Sequence, residues 1–222
     1  MDRANVSIII PNLLLPDKNA ELLRFVTNCV DSIRRHTSAS LELIMVDNGS
    51  PIGGDYLRSV ADVYIRNPHN LGFAPAVNQG LKLARGDWLV VSNNDIEFIH
   101  DWAANAIEAW QDGTGVISSH LHAHDTQHKV GRQVVPWGHM FGALWMTRRD
   151  ILDVAGYMDE GYGIAMYDDK AFWCAVEKAG FDLVKAGWCN HIGNATWGKM
   201  PHQKEIFFRN KEKFEREWLS QK

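Results

Sequence analysis

Three apolar runs in the first 95 residues end in the same way, and that repetition restricts the fold more than any other feature of the chain. VSIII (6–10), LELIMV (41–46) and WLVVS (88–92) pass directly into Pro11-Asn12, Asp47-Asn48-Gly49-Ser50 and Asn93-Asn94-Asp95. Short runs of β-branched and large apolar residues bounded by Pro, Gly and Asn read as buried strands. VYI (63–65) predicts one more, shorter strand. After the first run, Leu22, Leu23, Phe25, Val26, Cys29, Val30 and Ile33 recur at helical spacing and predict an amphipathic helix over about 21–35. Before the third, Ala76, Val77, Gly80, Leu81 and Ala84 share a helical face that Arg85-Gly86-Asp87 brings to an end. Strands alternating with helices of this length predict an α/β fold with a mainly parallel sheet covered on both faces. The C-terminal ends of such strands point one way, so the three polar ends are expected to converge on one crevice, the usual ligand site of an open α/β sheet.

The second half is less regular. Asp101 is placed to cap a helix carrying Trp102, Ala106, Ile107 and Trp110, and short apolar runs at 115–117 and 141–146 flank a polar, His-rich stretch. Phe207, Phe214 and Trp218 share one face of a final helix over about 205–219. No linker or internal repeat divides the 222 residues, 45% of them hydrophobic, so they are read as one domain whose later strands run in mixed directions. A formal net charge of −4 gives no global basic field for nucleic acid or an anionic membrane. The three cysteines, Cys29, Cys174 and Cys189, are too scattered for a disulfide framework or a thiolate zinc site and predict a cytoplasmic setting. The expectation is neither a signal peptide nor a membrane-spanning helix, so any membrane association would be peripheral.

The polar residues have ordinary roles as turns and caps, against which a chemical role must be weighed. Asp47 can accept hydrogen bonds from a base or a sugar and Asn94 can bond a ribose hydroxyl, leaving Asp95 for a divalent cation, Mn²⁺ or Mg²⁺. In Tyr167-Asp168-Asp169, before an apolar helix with Phe172, Trp173, Val176 and Ala179, two adjacent carboxylates exceed what one cap needs. The expectation is that one caps while the other faces the crevice as a general base. His191, in the Gly-containing NHIGNATW, can complete a metal shell as a neutral imidazole. His120, His122, His124 and His128 read as a solvated polar loop next to the acceptor side, with metal binding by the cluster as the alternative. Trp137, beside Gly138, is equally suited to stacking on a ligand and to packing in the core. The GxGxxG spacing of a dinucleotide site is absent.

Taken in order, SIIIPN, VDNGS, NLGFAPAVNQGLKLARGD, SNND, YDDKAF, HIGNATW and FFRNKEKFEREW resemble the family 2 nucleotide-sugar glycosyltransferases of GT-A fold, over a span from Ser7 to Trp218. The resemblance implies a nucleotide-binding half, 1–95, and an acceptor-binding and catalytic half, 96–222. It implies that Asp47 contacts the base, that Pro11 and Asn12 line its pocket, and that the stretch 70–80, with Asn70, Gly72 and Asn78, folds over the nucleotide. SNND stands where the family has DXD, making Asn94 the ribose-side residue and Asp95 the metal ligand. YDDKAF stands where the family has EDxDL, making Asp169 the base, with Asp168 in place of the Glu on the acceptor side. His191 matches a histidine on the metal or diphosphate, and Trp137 and Gly138 fall in the acceptor-side segment. The sequence departs from the family in the single carboxylate of SNND, in Ala171 where the box has its last acid, and in the longer segment 13–19. The implied activity is metal-assisted, inverting transfer of a sugar from a nucleoside diphosphate sugar to an acceptor hydroxyl. The alternative is a GT-A-like module that binds a nucleotide sugar or glycan without turnover. The acceptor is expected to be a glycan or small molecule, with a protein or modified nucleic-acid base left open. The sequence leaves the donor base, its sugar and the oligomeric state unread.

Overall fold

Strand and helix alternate through the first half as the sequence pattern requires. The structure is a computed structural model that describes residues 5–16, 19–121, 131–191 and 202–220. It runs β1 (Asn5–Asn12), α1 (Asn19–Arg35), β2 (Ser40–Asp47), α2 (Gly54–Val60), β3 (Val63–Arg66), α3 (Phe73–Leu83) and β4 (Trp88–Ser92). There follow β5 (Ile96–Phe98), α4 (Trp102–Ala109), β6 (Thr114–Leu121), β7 (Gln133–Val134), β8 (Leu144–Arg148), α5 (Arg149–Ala155), α6 (Asp168–Lys178), β9 (Asp182–His191) and α7 (Gln203–Phe214). One sheet takes the order β3-β2-β1-β4-β8-β6-β9-β5, with β7 paired to β9. β3, β2, β1 and β4 are parallel, β8 is antiparallel to both β4 and β6, and β5 is antiparallel to β9. The mixed directions expected of the second half are those found. Helix α2 went unread, because its sequence follows a run of turn residues directly.

Side chains alternate between two cores. Ile8, Ile10, Met45 and Val90 pack under α1, α2 and α4, while Ile9, Ile44, Val46 and Val91 pack under α3, α5 and α6. Within α1, Leu22, Val26, Cys29, Val30 and Ile33 are buried, the stripe that 3.6-residue periodicity sets out. Each aliphatic side chain so buried contributes about 1.5–3 kcal/mol.

Two details differ from the sequence reading. Strand β1 does not stop before Pro11; its register with β2 continues through Pro11↔Val46 and Asn12↔Asp47. Asn12 O accepts from Asn48 N at 2.8 Å on the β2 side, so Pro11 faces β4. There the ladder has already ended at Ile9↔Val91, and no partner lacks the missing N–H. The second detail is the final helix, which passes into a π turn over Glu215–Leu219 with Phe214 buried beneath it.

Candidate active site

Chain order reverses beside β1, with β2 following on one side and β4 on the other. At that switch point opens a cavity of about 570 Å³. The first half contributes Pro11, Asn12, Asn48, Asn70, Phe73, Asn94 and Asp95 to its lining, and the second half Phe141, Gly142, Tyr167, Asp168, Asp169 and His191. Residues expected at this crevice from three strand ends are therefore brought together with residues nearly 100 positions away.

The strand ends are bound to one another. Asn94 Nδ2 donates to Asn12 Oδ1 at 3.1 Å, and Asn12 Nδ2 donates to Ile10 O at 2.7 Å. Asn48 Nδ2 donates to Asn70 Oδ1 and to Gly72 O, while its Oδ1 accepts from Asn67 Nδ2 and Leu71 N. Gly72 begins α3 at φ 106, where a Cβ would lie 2.1 Å from Gly163 O, so only glycine lets the two loops meet. Gly72 and Asn78 shape this end without lining the cavity. Asn78 is turned away from it and holds the segment before α6, donating to Met158 O and Glu160 Oε1 and accepting from Met158 N.

Asp47 is placed differently from the expectation. Its buried carboxylate accepts from Ser50 N and Tyr64 Oη at 2.8 Å each and is paired with Arg66, and it does not line the cavity. A buried carboxylate needs such partners, and Arg66 at the end of β3 is within reach in the register Asp47↔Arg66. Arg66 Nη2 also donates to Ser50 O, which closes the VDNGS turn.

Asp95 and His191 form the polar centre of the site. Ile96↔His191 pairing brings the last residue of β9 beside the start of β5, next to Asp95, with His191 Nε2 3.1 Å from Asp95 Oδ1 and the ring edge-on to Phe141 at 5.4 Å. Their side chains are 17% and 6% exposed. One carboxylate oxygen and one imidazole nitrogen suit Mn²⁺ or Mg²⁺, with the other positions left to phosphate and water. Among the described residues no group of three His, Cys, Asp or Glu could hold a metal. The thiols below are not candidates: burial first, then the charge of Asp95, raises Cys29, and burial pushes Cys189 up to about 12. Both stay protonated and act as small apolar groups.

The acidic pair opens α6, but neither carboxylate caps it. Tyr167 occupies the cap position in the left-handed region at φ 69 with no side-chain cap bond, and Asp169 Oδ1 accepts from the adjacent Lys170 N. Asp168 is 4% exposed, and its Oδ2 has no hydrogen-bond partner among the described residues. Burial, with the Asp169 charge adding to it, pushes Asp168 up to about 7. Burial also raises Asp169, against hydrogen bonding and charge from Lys170. A Cβ on Gly142 would lie 2.2 Å from Asp169 Oδ2, so the carboxylate rests against a bare Cα.

Trp137 and Gly138 do not line the cavity. Trp137 packs edge-on against Phe214 at 5.1 Å, the core role that the sequence had left open. Phe141, Lys170 and Phe207 line the cavity but carried no functional signal in the sequence. Phe207 stood in the aromatic stripe of the last helix, where helical periodicity marks a buried face without saying what it faces. His120 lies on β6, while His122, His124 and His128 and the stretch 192–197 of HIGNATW lie outside the described residues.

The architecture is that of the GT-A glycosyltransferases. A mannosyltransferase from Pyrobaculum calidifontis, solved with GDP-Man and Mn²⁺, matches with a TM-score of 0.67 at 16% identity over 88% of this chain and 59% of that one. GalNAc-T7, solved with UDP, GalNAc and Mn²⁺, matches with a TM-score of 0.69 at 16% identity over 85% of this chain and 44% of that one. The chain belongs to glycosyl transferase family 2, whose model matches residues 7–176. The uncharacterized glycosyltransferase EpsJ of Bacillus subtilis (strain 168) is 32% identical over 89 residues, 38% of this chain and 25% of that protein. The chain thus matches only a quarter of that relative's length. Among the described residues no helix is long and apolar enough to cross a membrane.

Proposed function

We propose that this chain transfers a sugar from a nucleoside diphosphate sugar to an acceptor hydroxyl with inversion, residues 1–95 holding the donor and 96–222 the acceptor. The observation that carries this is one cavity lined by Asp95 and His191 together with the Asp168–Asp169 pair. The two solved neighbours were determined with GDP-Man or UDP and with Mn²⁺, which supports a nucleotide donor and a divalent cation here. Bound by Asp95 and His191, that cation would supply positive charge against the leaving diphosphate. Pro11, Asn12, Asn70 and Asn94 hold the nucleotide side, with amides already fixed in place. Asp169 accepts the proton of the acceptor hydroxyl as its oxygen bonds to the anomeric carbon and the bond from that carbon to the diphosphate oxygen breaks. Two adjacent carboxylates do not ionise together readily, so the pair shares a proton; Asp169, whose Oδ1 meets Lys170 N and beside which the Lys170 charge favours the anion, is the member read as base. A glycan or a small molecule is the acceptor class proposed.

The test is binding and slow hydrolysis of a panel of nucleoside diphosphate sugars, with Mn²⁺ and with chelator, on wild type and Asp169→Asn. One donor is expected to bind in a metal-dependent way, with hydrolysis in the variant reduced about 10²–10⁴-fold and binding retained. Binding with undiminished hydrolysis in the variant would favour a module that holds nucleotide sugar without Asp169 chemistry. No binding by any donor would remove the nucleotide crevice.

A further inference from the structure

We propose that Asn210 of α7 is a positioning residue for the Asp168–Asp169 pair, its amide fixing the loop that delivers the pair to the cavity; this rests on the reading of Asp169 as base. Asn210 is 1% exposed. Its Nδ2 donates to Tyr162 O and Ala165 O at 2.7 Å each and to Met166 O at 3.1 Å, and its Oδ1 accepts from Arg209 Nε at 3.1 Å. Two N–H hydrogens thus serve three carbonyls of one loop, and the last of them belongs to the residue before Tyr167. Replacing this amide by an apolar side chain would strip those carbonyls of their buried donor, so its bonds are what tie the loop to the helix.

The loop is one that needs holding. Met166 and Tyr167, consecutive and neither of them glycine, lie at φ 76 and 69, and they immediately precede Asp168. Such backbone persists only where its surroundings over-determine it. On one side Phe73 N donates to Ile164 O, tying the loop to the start of α3. On the other, one face of α7 holds it: Phe207 and Phe214 contact the Tyr167 ring at 5.4 and 5.5 Å, and Asn210 lies between them at helical spacing. Ile164, Ala165, Met166, Tyr167 and Phe207 line the cavity, so the same helix face sets the acceptor wall and the approach of the base. Helix α7 lies beyond the 7–176 match, and Asn210 falls within the FFRNKEKFEREW stretch of the resemblance, which assigned it no role.

Asn210→Asp keeps the shape of the side chain and puts an oxygen where the donating nitrogen stood. Three readouts apply: the ¹³C titration of the Asp169 carboxyl, hydrogen exchange of amides 163–170, and kcat and donor KM for hydrolysis of the donor that the panel identifies. The groups around the pair are Lys170 and Tyr167 from its own element and Asp95 and His191 across the cavity. A loosened loop admits water to the carboxylates, but the new carboxylate at position 210 opposes their ionisation. The titration is therefore read in Asn210→Ser, which adds no charge and in which the midpoint moves to lower pH. Amides 163–170 exchange faster, and kcat falls about 10–100-fold with donor KM within about twofold. Lys211→Met removes the ion pair with Glu215 within the C-terminal helix while leaving the loop carbonyls bonded, and it is expected to leave the Asp169 titration unchanged. Should Asn210→Asp fail to fold, Asn210→Ser, which keeps one donor, also carries the exchange and kinetic readouts, with smaller shifts in the same directions. A folded variant with wild-type titration and exchange overturns the proposal. If wild type turns over no donor, the transfer reading fails while titration and exchange still decide the role of Asn210.

Discussion

At the strand end of the cavity the amides are already engaged, Asn12 with Asn94 and Asn48 with Asn70, Asn67 and Gly72, whereas at the helix end Asp168 keeps a buried oxygen with no partner among the described residues. The first arrangement is rigid and near neutral in electrostatic cost, because every buried polar group has its bond. The second buries one carboxylate and half-buries the other beside it, and raises both. A preformed surface suits recognition of a donor, and an incompletely satisfied pair suits proton transfer. Changes at the two ends should therefore separate into effects on donor affinity and effects on turnover.

The sharpest way to break that contrast is Gly142→Ala. Its Cβ would meet Asp169 Oδ2 at 2.2 Å and Cγ at 3.0 Å, so the carboxylate must move. Turnover should fall about 10²-fold, the scale of a misplacement near 1 Å, while donor affinity measured by calorimetry stays close to wild type. Equal losses in both would mean that the two ends are not independent.

Asp168→Asn tests the helix end through stability. The folded value of Asp168 stands at about 7 against an ordinary 3.8, so the folded state keeps a proton that the unfolded chain releases. The stability it contributes is present below 3.8 and lost as pH rises through 7, at about 1.4 kcal/mol per unit of difference. The variant should melt higher than wild type at about pH 8 and close to it at about pH 4. A gain independent of pH would show that burial of charge is not the cause. The smallest effect is expected at the strand end, where Asn94→Ala removes the amide proposed to bond the donor's ribose. One hydrogen bond is worth about 1 kcal/mol, so donor affinity should weaken about fivefold with kcat unchanged.

The same contrast explains what the sequence could reveal. Strand ends are local: WLVVS stops at Ser92 in sequence and structure alike, and Asn12, Asn94 and Asp95 converge because parallel strands leave no other choice. The helix end is assembled from 140–142, 164–170, 191 and 207, and no periodicity links those positions. Asp47 and Asn78 sit in the right segments, but their side chains turn to Arg66 and to Met158, partners fixed by register and loop packing rather than by neighbours in sequence. Tyr167 took the cap position expected of an Asp, because its left-handed backbone is held from outside by α7. Helix α2 was hidden by its length, seven residues after a turn-rich stretch.

Pro11 gives the crevice a safeguard of a different kind. A gap between two strands that part company is an invitation to anneal: a little extra extension after Ser92 would let β4 zip onto β1 and fill the opening with backbone. Pro11 sits on that flank with no hydrogen to offer, so the next rung cannot be completed. Pro11 thus removes one rung that closure of the cleft would need, by its covalent structure and independently of the side chains around it.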